Sequence, residues 1–169
     1  MEFISSDTNI WIDFKVINRL TLPFLLPYKY IMYFESMTSE LLNPEGFKEE
    51  LEEAGLIGVD ISIEEFILAN SFGPKYPRLS IQDRIALAIA KERNITLLTG
   101  DKALRNAAWQ ENVNVIGTIG ILDKLVNEKY IDRNEYIFCL KSLLKHNGIE
   151  VRLPIGEINK RLEASISKP

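Results

Sequence analysis

Apolar runs of strand length alternate with stretches of helical periodicity along most of the chain, most clearly from Leu79 to Lys102. There Ile85, Leu87, Ala88 and Ile89 give a helix its apolar body, Ser80 stands where a cap belongs, and Asp83, three residues on, completes a capping box. Asn94 breaks this helix, and Ile95 to Thr99 follows as an apolar run of strand length. Met1 to Ser6 forms a first strand, after which Ile10, Trp11, Phe14 and Ile17 recur at helical spacing. Lys29 to Phe34 forms a second strand by its β propensity, and Val113 to Ile116 a later one. Strands and helices in this order build βαβ units, hence an α/β fold on a mostly parallel sheet.

The connections fill in the order. Leu22 to Pro27 reads as an apolar loop punctuated by prolines. Ser36 or Thr38 is expected to cap a helix carrying Glu40, and Pro44 to take the first position of the next, which runs to about Ala54 and ends at Gly55. Ile57 to Ile61 is a short extended element, Ser62 to Glu65 a second capping box leading into Phe66 to Ala69, and Ser71 to Pro77 a turn-rich loop. One helix follows Asp101 to about Glu111 and another runs from Ile119 to Glu128. The last third reads as an Asp132-capped helix to about His146, a C-cap at Asn147-Gly148, an extended Ile149 to Leu153 and a final amphipathic helix from Pro154 to Ile166. A single domain over residues 1–169 is expected, with a core in about 1–128 and a helical C-terminal extension in about 129–169.

The carboxyl edge of an open parallel sheet is where ligands bind. Asp7 ends the first strand, Asp101 closes the strand before it, and Asp83, near the start of a helix packed on the sheet, projects toward the same edge. Each has a local reading as a turn, N-cap or capping-box residue. Their convergence supplies hard oxygen donors of the kind magnesium and manganese prefer.

Asp7-Thr8-Asn9 at the end of the first strand, Glu40 within Met37 to Leu42, Asp83 opening a later helix, and Thr99-Gly100-Asp101 closing the next strand resemble the PIN-domain nucleases in order and spacing. The resemblance implies a three-layer α/β/α domain that hydrolyses RNA phosphodiester bonds with Mg²⁺ or Mn²⁺. By the same resemblance Asp7, Asp83 and Asp101 are metal ligands, and Glu40 is a ligand through water or a positioner of the attacking water. Glu35 and Glu45 lie nearby, and Glu40 is chosen on the family pattern. Asn9 and Thr99 would hold the carboxylates by hydrogen bonds. Arg84, Lys102 and Arg105 either bind the substrate backbone or are solvated helix-surface charges. Gly117 to Asp123 followed by two helices looks like the VapC-type toxins, which implies a type II toxin–antitoxin pair, a small antitoxin partner and a homodimer.

Charge and composition narrow the picture further. Twenty Lys and Arg against twenty-four Asp and Glu give a net charge of −4, which counts against a large nucleic-acid footprint. It leaves room for a nuclease whose acidic site recruits divalent cations to meet the phosphate. No segment is long and apolar enough to cross a bilayer, no secretory pattern opens the chain, and the lone Cys139 sits in an apolar helical pattern, so a cytoplasmic home is expected. His146, the only histidine, ends a helix, which disfavours histidine-based chemistry, and Trp11 and Trp109 read as core or interface residues. Two rivals stand beside the nuclease. A haloacid-dehalogenase-like phosphatase would need an Asp where Asn9 stands. A catalytically inactive PIN-like module that binds RNA or protein would keep the fold without the turnover.

Overall fold

In the computed structural model, which describes residues 1–167, five strands form one sheet: β1 (Glu2–Ser6), β2 (Tyr28–Tyr33), β3 (Ile57–Val59), β4 (Thr96–Leu98) and β5 (Val115–Ile116). Their order is β3-β2-β1-β4-β5 and every pairing is parallel. Side chains alternate across the pleat, so Ile4, Tyr30, Met32 and Leu98 join one apolar cluster while Ile31 and Leu97 join the other. Burial on both faces is what makes the strands read as near-continuous apolar runs.

The helices α1 (Thr8–Val16), α2 (Phe34–Glu40), α3 (Phe47–Ala54), α4 (Ile63–Lys75), α5 (Ile81–Glu92), α6 (Lys102–Gln110), α7 (Thr118–Asn127), α8 (Arg133–His146) and α9 (Ile155–Ile166) make the outer layers. Residues of α1, α3, α7, α8 and α9 fill the first cluster; residues of α4, α5 and α6 fill the second. The three-layer α/β/α arrangement expected from the sequence is therefore present. In α5 the run from Leu87 to Ala90 is almost wholly buried. Burying Leu87 and Ile89 contributes roughly 1.5–3 kcal/mol each, which anchors the N-terminal turn that carries Asp83. The first cluster is tied by Trp11, stacked on Phe24 at 5.2 Å and edge-on to Tyr30 at 5.3 Å.

Several local expectations are corrected. Ser71 to Pro77 is not a loop: α4 continues to Lys75 with Pro74 inside its last turn, because Phe72 is buried against the second cluster and Tyr76 N–H still reaches Phe72 O at 2.8 Å. Neither Ser36 nor Thr38 caps α2, which starts at Phe34 directly from β2; both lie inside the helix, and the Thr38 hydroxyl donates to Phe34 O. Pro44 does not open α3. Gly46, at φ +83°, delivers the chain into a helix that begins with the buried Phe47. Ile149 to Leu153 is a turn with one isolated bridge, Asn147 to Val151, rather than an extended stretch. Trp109 is 81% exposed, so it is no core residue, whereas Trp11 is fully buried. Asn94 ends α5 as expected, at φ +52°.

Candidate functional site at the carboxyl edge of the sheet

Strand order reverses between β1 and β4, which lie side by side but lead into helices on opposite faces, α1 and α6. This is the switch point where a crevice opens beyond the strand ends. Asp7 follows β1 there, and Asp101 follows β4 by way of Thr99 and Gly100.

Asp7 is buried and thoroughly held. Its backbone N–H extends the ladder to Leu98 O at 2.9 Å, its Oδ1 accepts from Thr8 N at 2.7 Å, and its Oδ2 accepts from the Thr99 hydroxyl at 2.9 Å. Thr99 Oγ1 in turn accepts from Asp101 N at 3.1 Å, so one buried hydroxyl fixes the spacing of both acids. Asp101 caps α6 by accepting Leu104 N at 2.8 Å. Glu40, the last residue of α2, accepts from the Thr8 hydroxyl. Asp83 serves the capping box of α5, accepting Ser80 N at 2.9 Å while Ser80 Oγ accepts Asp83 N at 3.1 Å. The charge of Asp83 acts on Asp7 and Glu40, and the charge of Asp101 acts on it.

The electrostatics show how they act on one another. Burial pushes the Asp7 carboxyl up to about 7, the Asp83 charge adds to the rise, and Glu40 adds less; the Thr99 hydroxyl and Thr8 N–H only partly offset this. Glu40 is raised by burial and by Asp83 and lowered by Thr8. Asp83 is raised by burial and by Asp101, and lowered by Ser80 and Arg84. Asp83 thus stands electrostatically between Asp7 and Glu40 on one side and Asp101 on the other. Asp7 and Glu40 also share the wall of a cavity of about 10 Å³, the size of one water molecule, together with Ser36 and Gln82. Asp101 borders a larger groove of about 630 Å³ that runs past Asn9, Lys102 and Arg105.

The remaining sequence candidates divide. Lys102 and Arg105 line the groove, as does Asn9. The Arg84 side chain turns toward α4 instead: its Nε donates to Ser80 O at 3.3 Å, and its guanidinium packs so close to Gly73 that a Cβ there would lie 2.6 Å from Nη1. Three residues carry roles that the sequence did not assign, Thr8 among them although it stands in the Asp7-Thr8-Asn9 motif. Thr8 restrains Glu40, Arg152 reaches the groove from the turn before α9, and Asp13 is buried at the groove wall with the Thr118 hydroxyl donating to it at 2.6 Å. Burial pushes Asp13 up to about 6. The only sequence signal for Asp13 was an acid on the apolar side of α1, between Ile10 and Phe14.

Among the described residues, no group of three or more His, Cys, Asp or Glu side chains is gathered closely enough to hold a metal ion by itself. The acids act on one another pairwise through their charges. That donor set suits a hard cation that keeps several of its waters and takes only one or two carboxylates, and the mutual repulsion at Asp7 and Asp83 is what a bound cation would relieve. No described helix is long and apolar enough to cross a membrane. A family model described as PIN domain matches residues 3–164. No curated protein and no solved structure matches the chain.

Proposed function

The chain belongs to the PIN-domain family, whose members are generally nucleases, and from that premise we propose that it is a divalent-cation-dependent endoribonuclease. The observation that carries this is the gathering of Asp7 and Asp101 about the Thr99 hydroxyl, with Glu40 on the same small cavity as Asp7, Asp83 acting on them through its charge, and no lysine or arginine ion-paired to any of the four among the described residues.

Asp7, Asp83 and Asp101 would serve Mg²⁺ or Mn²⁺, one or two of them directly and the rest through the waters that the ion keeps, and Glu40 would hold or orient the attacking water. Bound there, the ion lowers the pKa of water and offsets charge on the phosphoryl and leaving oxygens. Thr99 sets the Asp7-to-Asp101 spacing through its two hydrogen bonds, and Thr8 restrains Glu40. Asn9 stands at the mouth of the groove as a further polar contact. Lys102 and Arg105 line the approach and would grip the substrate backbone, whereas the Arg84 side chain is already committed to Ser80 and Gly73. The VapC-like toxin setting, with a small antitoxin, a homodimer and a cytoplasmic home, belongs to the same proposal and rests on the sequence resemblance. Light scattering and the identity of the neighbouring reading frame test it.

The direct experiment incubates the protein with end-labelled RNA in Mg²⁺ or Mn²⁺, and again in EDTA. Cleavage that EDTA abolishes supports the proposal. Binding without cleavage under both metals would instead establish the inactive module.

A further inference from the structure

Groove-lining cations draw the eye away from the acids to the C-terminal turn. Residues 147–154 join α8 to α9, and Ile149, Glu150, Arg152, Leu153 and Pro154 of this turn line the same groove as Asp101, Lys102 and Arg105. The turn is built rather than loose. Leu153 N donates to Asn147 Oδ1 at 2.8 Å, Gly148 N donates to Val151 O at 2.8 Å, and both Ile149 N and Val151 N donate to His146 O at 3.2 and 3.3 Å. Val151 is fully buried and joins the first apolar cluster, and a Leu153 methyl packs against Gly100, next to Asp101.

Because Val151 points in, Arg152 points out. It is exposed, and among the described residues its side chain has no hydrogen bond or ion pair; the same holds for the side chains of Lys102 and Arg105. The acid of the turn, Glu150, is engaged by His146 Nδ1 at 2.8 Å. The groove is therefore lined by three cations, Lys102, Arg105 and Arg152, beside the acids Asp13, Asp101 and Glu150, and the three cations come from two separate segments of the chain. Among the described residues no aromatic side chain lines it, so those residues give bases nothing on which to stack.

Resting on the nuclease reading, we infer that the turn between α8 and α9 is a substrate-binding element, and that Arg152, with Lys102 and Arg105 in the same groove, holds the phosphodiester backbone of a single RNA strand as it passes Asp101. A grip through phosphates alone is indifferent to base identity and sensitive to salt. The helical extension then completes the substrate track as well as packing on the core.

The experiment measures binding of the full chain to a fluorescein-labelled single-stranded RNA oligonucleotide by anisotropy, in EDTA over a salt series, with cleavage in Mn²⁺ measured alongside. Arg152→Ala should weaken binding roughly three- to tenfold at low salt and flatten the plot of log affinity against log salt by about 0.7, the share of one phosphate contact on a single strand. Lys160→Ala, an exposed cation on α9 outside the groove, should match wild type. Because Arg152 has no partner to lose, unchanged thermal unfolding is expected and separates binding from folding. Wild-type affinity and slope in Arg152→Ala, while Lys102→Ala and Arg105→Ala lose affinity, would overturn the inference and leave the nuclease reading standing. A wild-type chain that neither binds nor cleaves RNA would remove that reading and this inference with it.

Discussion

Two acids mark the ends of α6, and the fold treats their surroundings in opposite ways. Glu111, just past the last turn, is as buried as Asp7, each 6% exposed. Burial alone would raise Glu111, but hydrogen bonds and charge from Lys75 and Lys91, with the Tyr76 hydroxyl, hold it down at about 2. At the other end, Asp101 caps the helix and belongs to the edge where Asp7 meets one hydroxyl, one backbone N–H and other carboxylates, and rises to about 7. The two are equally hidden from solvent at the surface, yet at Asp7 desolvation leads and the Asp83 charge adds to it, whereas at Glu111 the lysines and Tyr76 outweigh desolvation. At Glu111 the chain supplies lysines to a buried acid; at the switch point the acids raise one another instead, the arrangement expected of a site that a cation completes.

The largest expected effect is on turnover. Asp7→Asn or Asp101→Asn keeps size and capping ability while removing charge, and should lower RNA cleavage by about 10²-fold or more. Glu111→Gln should leave cleavage near wild type. Gel-based rates on the three variants check this, and comparable losses from Glu111→Gln and Asp7→Asn would erase the distinction between the two ends.

Next comes the pH dependence of the metal-free protein. Asp7 titrates near 7 when folded and near 3.8 when unfolded, so between those values the folded state keeps a proton that the unfolded state has lost. Its contribution is fully present below about pH 4 and is lost as pH rises through about 7, amounting to as much as about 4 kcal/mol. Asp13, at about 6, acts in the same direction. Glu111 acts in reverse: its stabilisation is present above about pH 4.5 and disappears as pH falls toward about 2. Urea unfolding in EDTA at pH 5 and pH 8 should show wild type weaker at pH 8, with a smaller difference in Asp7→Asn, and Mg²⁺ or Mn²⁺ should restore stability to wild type at pH 8 but much less to the variant. A wild-type stability that does not change with pH would mean that Asp7 is not strained.

Of smaller size is the stability cost of opening the paired end. Glu111→Gln should destabilise by about 1–3 kcal/mol, less than a fully enclosed ion pair would, because Lys75 and Lys91 are half exposed and can turn to water. The denaturant midpoint reads it directly.

Much of the edge could be read in advance because its residues do local jobs with strong sequence signatures. Asp7, Asp83 and Asp101 each cap a helix or complete a capping box, and those jobs place them at helix starts, hence at strand ends in a parallel sheet. What escaped depends on tertiary contact. Pro74 reads as a breaker, but the buried Phe72 keeps α4 going. Ser36 reads as a cap, but β2 runs straight into α2 and leaves Ser36 lining the cavity beside Asp7. The turn before α9 reads as extended because Ile149, Val151 and Leu153 alternate with polar residues, yet His146 O collects two of its N–H groups and folds it against the groove. No period in the sequence shows that Arg152 shares a groove with Lys102 and Arg105, since that juxtaposition joins residues some fifty positions apart.

The finest comparison sets two copies of one local motif against each other. Ser62 and Ser80 open α4 and α5 with the same box: Glu65 N donates to Ser62 Oγ at 3.0 Å and Asp83 N to Ser80 Oγ at 3.1 Å, and each acid takes back its cap residue's N–H at 2.8 and 2.9 Å. Glu65 is also gripped by Arg93 at 2.6 and 3.1 Å, so losing the serine hydroxyl would not free it. Asp83 has no such clamp, and it stands between the other acids of the edge. Ser62→Ala and Ser80→Ala should therefore each cost about 1 kcal/mol of stability, while only Ser80→Ala slows RNA cleavage, by several-fold, because the Asp83 N–H loses its acceptor and the first turn that carries the carboxylate loosens, with the Ser80 N–H left as its remaining tie. Equal cleavage rates in the two variants, at equal loss of stability, would reduce Asp83 to a capping residue and confine the chemistry to Asp7, Glu40 and Asp101.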